Sequence, residues 1–108
     1  MDTYTLSVYS NHLHHSLVAT GGRYNKYEMT CAANAYPLGT LLEVEYGGRK
    51  IKVTVNDRIS KRLERIRIDL SGAAYKALDP KYNYTDRSGG LLRRAKITVL
   101  KLAKKFKK

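Results

Sequence analysis

Two aspartates stand at or near the ends of alternating apolar segments, where a carboxyl group could do chemistry. Asp57 lies in a Val-Asn-Asp-Arg run, and Asp69 lies in an Arg-Ile-Asp-Leu-Ser run. A carboxyl group can act as a general acid when burial favours its protonated form, whereas a neighbouring arginine favours the ionised form. The competing interpretation is structural: Asp57 caps a turn, and Asp69 pairs with Arg67 or Arg58. The residue types alone leave both interpretations open.

Three histidines and one cysteine are the next candidates. His12, His14 and His15 cluster near the N-terminus, but their spacing matches no zinc-binding template, which favours a surface or substrate-contact role over a metal. The single cysteine, Cys31, excludes an internal disulfide and a multi-cysteine zinc site. Its small neighbours favour a buried residue over a nucleophile. We therefore predict no metal site and no cofactor.

Aromatic and basic residues indicate which partners fit. Tyr9 and Tyr24 are two of nine tyrosines, whose rings can stack on sugars or bases or lie half-buried in a barrel. Lys and Arg number 21 against 9 Asp and Glu, and the net charge of +12 favours polyanions such as nucleic acid, anionic lipid or an acidic cell-wall polymer. Phosphate-binding glycine loops and RNA-binding aromatic signatures are missing. Charge alone therefore supports only nonspecific binding of nucleic acid.

Alternation of apolar and polar residues predicts the strands that must position these groups. The clearest is a hairpin in which strands 40–46 and 50–55 flank a Gly-Gly turn. Further strands are predicted at 65–70 and 95–100, with weaker ones at 4–10 and 28–32. About six short strands with a short helix indicate a small, closed or nearly closed all-β barrel.

The chain length of 108 residues allows one compact domain. A short helix is predicted over 72–78, with Ser71 as its N-cap and Asp79 at its end. Residues 80–90 have the composition of a loop. We predict a barrel domain over 1–100 and a basic tail over 101–108. No apolar run is long enough to span a bilayer, and the opening residues lack the pattern of a secretory signal peptide.

Short motifs follow one another in a specific order between residues 6 and 100. Leu-Ser-Val-Tyr ends at Tyr9, a Leu-His-His step contains His14, and later segments end at Tyr24 and contain Asn34. Asn-Asp-Arg then runs from Asn56, and Ile-Asp-Leu-Ser precedes the Ala-rich helix. In this order the motifs resemble the rare lipoprotein A-like (RlpA-like) double-psi β-barrel domain, a relative of expansin and barwin domains.

The resemblance implies an all-β fold, a six-stranded double-psi β-barrel with one or two short helices. It also implies work on peptidoglycan, because RlpA-like enzymes are lytic transglycosylases that cut bare glycan strands and leave a 1,6-anhydro end. Asp57 is similar to the acid/base aspartate of that family, and Asp69 to the second groove aspartate of expansin-like domains. The expected substrate contacts are Asp69, Arg58, Asn56, Tyr9, His14, Tyr24 and Asn34.

Two departures from the family pattern leave the activity open. The family glutamate falls at Gly22, and the family histidine falls at Ala33. One alternative is a noncatalytic, expansin-like module that binds cell-wall polysaccharide. Another is a barwin-like protein-binding or inhibitory barrel, with residues 80–90 as its contact surface. By analogy we expect a monomer in the cell envelope or outside the cell, with peptidoglycan or another acidic cell-wall polysaccharide as its partner.

Overall fold

A computed structural model describes residues 2–9, 14–59, 67–84 and 92–103 of the chain. The described strands and helix are β1 (Asp2–Val8), β2 (Thr30–Ala33), β3 (Leu41–Tyr46), β4 (Arg49–Asp57), β5 (Arg67–Leu70), α1 (Gly72–Leu78) and β6 (Leu92–Lys101). The six strands close into a barrel in the order β1-β5-β2-β4-β3-β6. The predicted six-stranded barrel is thus confirmed. Within the described ranges, no helix is long and apolar enough to cross a membrane.

The β3–β4 hairpin forms where the alternation predicts it. Gly47 and Gly48 have φ of 58° and 80°, a conformation that glycine adopts readily and that matches the twist of a two-residue hairpin turn. Val44 on β3 pairs with Ile51 on β4, in an antiparallel register that continues to the ends of the turn. The second strand runs on to Asp57, two residues beyond its predicted end.

The end of β5 leads directly into α1. The hydroxyl oxygen of Ser71 accepts a hydrogen bond from the N–H of Ala74 at 3.2 Å, which satisfies one of the free donors of the first helical turn. The same hydroxyl donates to the carbonyl of Glu28 at 2.5 Å, which ties the helix start to the segment before β2. The N–H of Asp79 donates to the carbonyl of Tyr75 and ends the helix. The predicted helix and its caps are confirmed.

Alternate strand residues fill the barrel interior, and their burial accounts for most of the stabilising apolar contact. Residues at 1% exposure or less include Leu6, Leu42, Val44, Val53, Val55, Ile68 and Leu70. Cys31 is buried among them, as predicted, and this burial raises the pKa of its thiol. The thiolate that nucleophilic chemistry requires is therefore disfavoured.

A β-bulge decides the direction of the Asp57 side chain. In the parallel pairing of β2 with β4, Cys31 lies opposite Val55 but Ala32 lies opposite Asp57, so that Asn56 is an additional residue on β4. Val55 faces the core, and strict alternation would turn Asp57 inward as well. The additional residue instead turns Asp57 to the outer face. β-Bulges beside functional sites often change the direction of a side chain in this way.

Strand boundaries depart from the predicted ones by up to three residues. β1 begins at Asp2, β2 spans Thr30–Ala33, and β6 begins at Leu92, three residues before its predicted start. Backbone pairing rather than side-chain alternation sets these ends, because β6 pairs with both β1 and β3. The predicted strand residues 10, 65 and 66, the loop residues 85–90, His12 and the tail from 104 lie outside the described residues.

Candidate functional site

Two predicted site residues, Asp57 and Asp69, come together on the outer face of the barrel. Ala32 on β2 lies opposite Asp57 on β4 and also opposite Asp69 on β5. Ser7 on β1 lies opposite Asp69 and extends the same row. The two aspartates therefore stand two strand spacings apart, roughly 10 Å between their Cα atoms. The parallel pairing of β2 with β4 and the antiparallel pairing of β2 with β5 create this juxtaposition, because each places an aspartate opposite Ala32.

The carboxylate of Asp57 is held by three donors. Its Oδ2 accepts a hydrogen bond from the hydroxyl of Tyr9 at 2.5 Å. Its Oδ1 accepts from the N–H of Ala19 at 3.0 Å and from the N–H of Arg58 at 2.9 Å. Backbone N–H groups can only donate, whereas a hydroxyl can donate or accept. Oδ2 is therefore the oxygen that can carry a proton, and Oδ1 is the oxygen that fixes the orientation.

A short loop supplies one of those donors and lies against the bulge. Leu17 and Arg23 form an isolated antiparallel bridge, and the N–H of Val18 donates to the carbonyl of Gly22 at 2.9 Å. The N–H of Thr20 donates to the carbonyl of Asn56 at 3.2 Å. Asn56 is thus both the additional residue of the bulge and the anchor for this loop.

Tyr9 and Tyr24 form a tilted aromatic pair beside Asp57. Their ring centroids lie 4.5 Å apart, and Tyr24 is only 2% exposed behind Tyr9. The hydroxyl of Tyr24 accepts from the N–H of Gly72 at 3.1 Å and so connects the pair to α1. Burial raises the pKa of Tyr24 to about 12. Burial, followed by the hydrogen bond to Asp57, raises the pKa of Tyr9, which therefore remains a donor at neutral pH.

Arg58 and Asn34 tie the chain together rather than pairing with either aspartate. The guanidinium Nη1 of Arg58 donates to the carbonyls of Ala33 at 2.8 Å and Tyr36 at 2.5 Å. The Oδ1 of Asn34 accepts from the N–H of Ile59 at 2.8 Å. The interpretation that Arg58 pairs with a carboxylate is therefore wrong within the described residues. Its side chain satisfies carbonyl groups at the end of β2, a need that the sequence does not reveal.

Asp69 is partly neutralised, unlike Asp57. The Nε of Arg67 lies 3.3 Å from its Oδ1, and the hydroxyl of Ser7 donates to the same oxygen. Arg67 also donates to Ser7 Oγ at 3.0 Å, which closes a small network. The structural interpretation of Asp69 as a partner of Arg67 is confirmed. In the part of the chain that the structure describes, the carboxylate of Asp57 forms no ion pair, so one of the two aspartates remains available for chemistry.

His14 packs at the edge of the tyrosine pair. Its Nδ1 accepts from the N–H of Lys26 at 3.1 Å, and its ring lies edge-on to Tyr24 with centroids 6.3 Å apart. Desolvation first, and then the charges of His15 and Lys26, lower the pKa of His14. Its imidazole is therefore neutral near pH 7. No group of three His, Cys, Asp or Glu side chains suited to a metal occurs among the described residues.

The two departures from the family pattern have different structural settings. Gly22 lies exposed in the loop beside Asp57, and a Cβ added there would meet nothing within 4 Å. Ala33 is fully buried in the core, so a histidine at that position would not lie in a groove. The correspondence of Ala33 with the family histidine therefore does not place a groove residue there, because β2 alternates inward at that position.

Sequence reasoning missed two donors of the site. The N–H of Ala19 reaches Asp57, and the hydroxyl of Ser7 reaches Asp69. A backbone N–H carries no signature in the residue type, and Ser7 becomes relevant only through the parallel register of β1 with β5.

Comparison with known proteins agrees with this fold. Residues 4–98 match the double-psi β-barrel family described as lytic transglycolase. No curated protein sequence matches the chain. The structure of Streptomyces papain inhibitor matches with a TM-score of 0.67 at 23% identity, over 91% of this chain and 92% of that one. A mutant Clavibacter michiganensis expansin, in complex with cellohexaose, matches with a TM-score of 0.64 at 19% identity, over 91% of this chain and 49% of that one. The chain thus spans about half the length of that expansin.

Proposed function

Since the chain belongs to the lytic transglycolase family of double-psi β-barrels, we propose that it cleaves the glycan strands of peptidoglycan, with Asp57 as general acid and base. The observation that carries the proposal is the setting of Asp57. Its carboxylate stands on the outer face at the end of β4, oriented by two backbone donors and with the hydroxyl of Tyr9 on Oδ2. Within the described residues no arginine neutralises it.

One carboxyl group is sufficient for the reaction. Asp57 Oδ2 donates its proton to the glycosidic oxygen, and the bond from that oxygen to the anomeric carbon breaks. The 6-hydroxyl of the same sugar attacks the anomeric carbon and forms the 1,6-anhydro ring. Its proton passes to the Asp57 carboxylate, which restores the starting state. No water is consumed, in contrast to the two-carboxylate hydrolysis of ordinary glycosidases.

The remaining site residues take supporting roles in this proposal. Tyr9 positions Oδ2, and its hydroxyl can reverse from donor to acceptor when Asp57 is protonated. Arg58 and Asn34 hold the segments on either side of the site through carbonyl and N–H contacts. Asp69, Asn56, Tyr24 and His14 line or support the same face and are proposed to shape the substrate site. The net charge of +12 attracts an acidic polymer to it.

The experiment is a digest of purified peptidoglycan followed by mass spectrometry of the products. The wild-type protein is expected to release fragments with 1,6-anhydro ends, and Asp57→Asn is expected to release none. Asp79→Asn is the matched control, because Asp79 caps the far end of α1. This substitution removes the same charge as Asp57→Asn at a different place. The absence of anhydro ends at every wild-type concentration would overturn the catalytic proposal.

A noncatalytic wall-binding module is the second candidate, favoured by the glycine at position 22. The family carboxylate is missing there, and the space it would occupy is open. This candidate predicts co-sedimentation with insoluble cell wall without new chain ends. Binding that weakens steeply with added salt would show that charge dominates the interaction.

A protein-binding barrel is the third candidate. Streptomyces papain inhibitor matches this chain over nearly its whole length, whereas only about half of the expansin is matched. An inhibition assay with papain tests it directly, with residual protease activity measured against protein concentration. Under each of the three candidates we place the protein in the cell envelope or outside the cell.

A further inference from the structure

A row of aromatic rings leads away from Asp57, partly buried at its start and exposed at its outer end. It begins with Tyr9 and Tyr24, whose centroids lie 4.5 Å apart. His14 follows at 6.3 Å from Tyr24, and Tyr27 follows at 5.6 Å from His14. The row thus passes from a half-buried ring at the carboxylate to Tyr27, which is 60% exposed. Tyr27 is therefore placed to contact the same polymer that the proposed site at Asp57 cleaves.

The outer end of the row combines the exposed ring of Tyr27 and the partly buried ring of Tyr84 with a positive charge. The ring of Tyr84 lies 5.1 Å from that of Tyr27. The Lys26 ammonium lies 5.3 Å from the Tyr27 centroid and 5.8 Å from the Tyr84 centroid. An aromatic face stacks on the C–H face of a sugar ring, and an ammonium pairs with a carboxylate. Together these groups match a sugar that carries an acidic substituent.

The backbone beneath these side chains is held in place before any ligand binds. The N–H of Tyr27 donates to Asn25 Oδ1 at 2.9 Å, and the carbonyl of Lys26 accepts from the N–H of Ala73 on α1 at 2.8 Å. The ring of Tyr84 packs so closely on Gly72 that an added Cβ would lie 2.7 Å from a ring carbon. Such preorganisation lowers the entropic cost of binding.

We propose that Lys26, Tyr27 and Tyr84 form a glycan platform, a second binding subsite for sugar units remote from the bond cleaved at Asp57, with a preference for acidic glycan. This inference rests on the proposed function, because it assigns the platform to the same polysaccharide strand. The inference goes beyond the proposed function because it names where the polysaccharide lies on the protein and which charge the polysaccharide carries.

The test compares binding of two soluble probes, peptide-free peptidoglycan strands, which are acidic, and neutral chitin oligosaccharides. All variants are made in the Asp57→Asn background, so that cleavage does not change the probe. Tyr27→Ala is expected to raise the Kd for both probes roughly tenfold, from the loss of stacking contact. Lys26→Gln is expected to raise the Kd several-fold for the acidic probe alone, and more at low salt.

Matched controls lie at other places on the barrel. Leu102→Ala removes an apolar side chain that is 64% exposed, and Lys50→Gln removes a charge near the opposite end of β4 from Asp57. Both are expected to leave the Kd unchanged.

Gly72→Ala is a further test variant. It forces the Tyr84 ring to move and is expected to weaken binding of both probes without removing a ligand contact.

Three outcomes would overturn the platform. These are an unchanged Kd with Tyr27→Ala, equal effects of Lys26→Gln on both probes, and an effect of Tyr27→Ala on a single-stranded oligonucleotide but on neither glycan. Circular dichroism of each variant separates loss of contact from loss of fold. The binding comparison does not depend on catalytic turnover. If the wild-type protein leaves peptidoglycan uncut, the catalytic proposal is wrong, but the Kd values still test the glycan platform.

Discussion

Replacing Tyr9 with phenylalanine removes one hydroxyl group and tests how the Asp57 carboxylate is held. The hydroxyl donates to Oδ2 at 2.5 Å, whereas the ring contacts Tyr24 with a centroid separation of 4.5 Å. Phenylalanine retains the ring contact, so the variant isolates the hydrogen bond. A bond to a charged group is worth about 1.5–3 kcal/mol. Since Asp57 is only half-buried, water replaces part of the lost donor, and we expect the free energy of unfolding to fall by about 1 kcal/mol.

The pKa of Tyr9 makes this difference depend on pH. Burial and the bond to Asp57 raise the pKa of Tyr9 above its ordinary value of 10.0 in the folded protein. Above pH 10 the unfolded chain loses this proton while the folded chain keeps it, so the folded state binds more protons and the stability falls as pH rises. The full slope is about 1.4 kcal/mol per pH unit. We halve it, to roughly 0.7 kcal/mol per pH unit, because Tyr9 is only half-buried and solvent screens the interaction.

The assay is urea unfolding of both proteins at about pH 8 and about pH 11. The wild-type protein is expected to be more stable by about 1 kcal/mol at the lower pH, with a Tm about 4–8 °C higher. The difference is expected to shrink to about half or less at the higher pH, because only the wild-type protein carries the Tyr9 proton. Tyr24 titrates in both proteins and cancels from the comparison. Equal stability at the lower pH, or a difference that is the same at both, would refute this account of how Asp57 is held.

Three further predictions follow from single side chains. Gly22→Glu is expected to leave the Tm within about 2 °C, since the added Cβ meets nothing within 4 Å, and to increase the release of anhydro ends; a large fall in Tm would contradict the open space. Cys31 is 2% exposed and its thiol pKa is raised, so Ellman's reagent is expected to label it only after unfolding, and rapid labelling of the native protein would be the opposite result. His14 is expected to titrate below 6.5 by NMR, because desolvation, and then the charges of His15 and Lys26, lower its pKa. The unfolded chain then binds more protons as pH falls through 6.5, so His14 lowers stability toward acid, and a titration midpoint at or above 6.5 would contradict this.

Local signals were sufficient for much of the fold. The Gly47–Gly48 turn and the alternation on either side of it predict the β3–β4 hairpin, because turn geometry and burial pattern are both written within a few residues. Ser71 and Asp79 likewise delimit α1. Strand ends were less predictable, since β6 is extended by pairing with β1 and β3, and sequence alternation carries no information about distant partners.

The candidate site depended more heavily on distant contacts. The motifs around Asp57 and Asp69 single out both aspartates, but they do not distinguish the partnered one from the available one. The structure does so through Arg67, which contacts Asp69, and Arg58, which contacts carbonyl groups instead. Arg58 is adjacent to Asp57 in sequence, yet its guanidinium turns toward the end of β2.

By itself the sequence determined which chemical groups this protein has and where they lie along the chain. These are a strongly basic composition, strands of alternating apolar and polar residues, two aspartates at or near strand ends and an ordered set of short motifs. Only the tertiary structure decided what the carboxyl groups face. The bulge at Asn56 turns Asp57 outward. Its carboxylate then accepts from Tyr9, just after β1, and from Ala19, in the loop anchored on Asn56, both far away in the chain. The physical reason is that periodicity and residue type act over a few residues, whereas a side chain's direction and hydrogen-bond partners are set by the register between strands that the sequence does not place side by side.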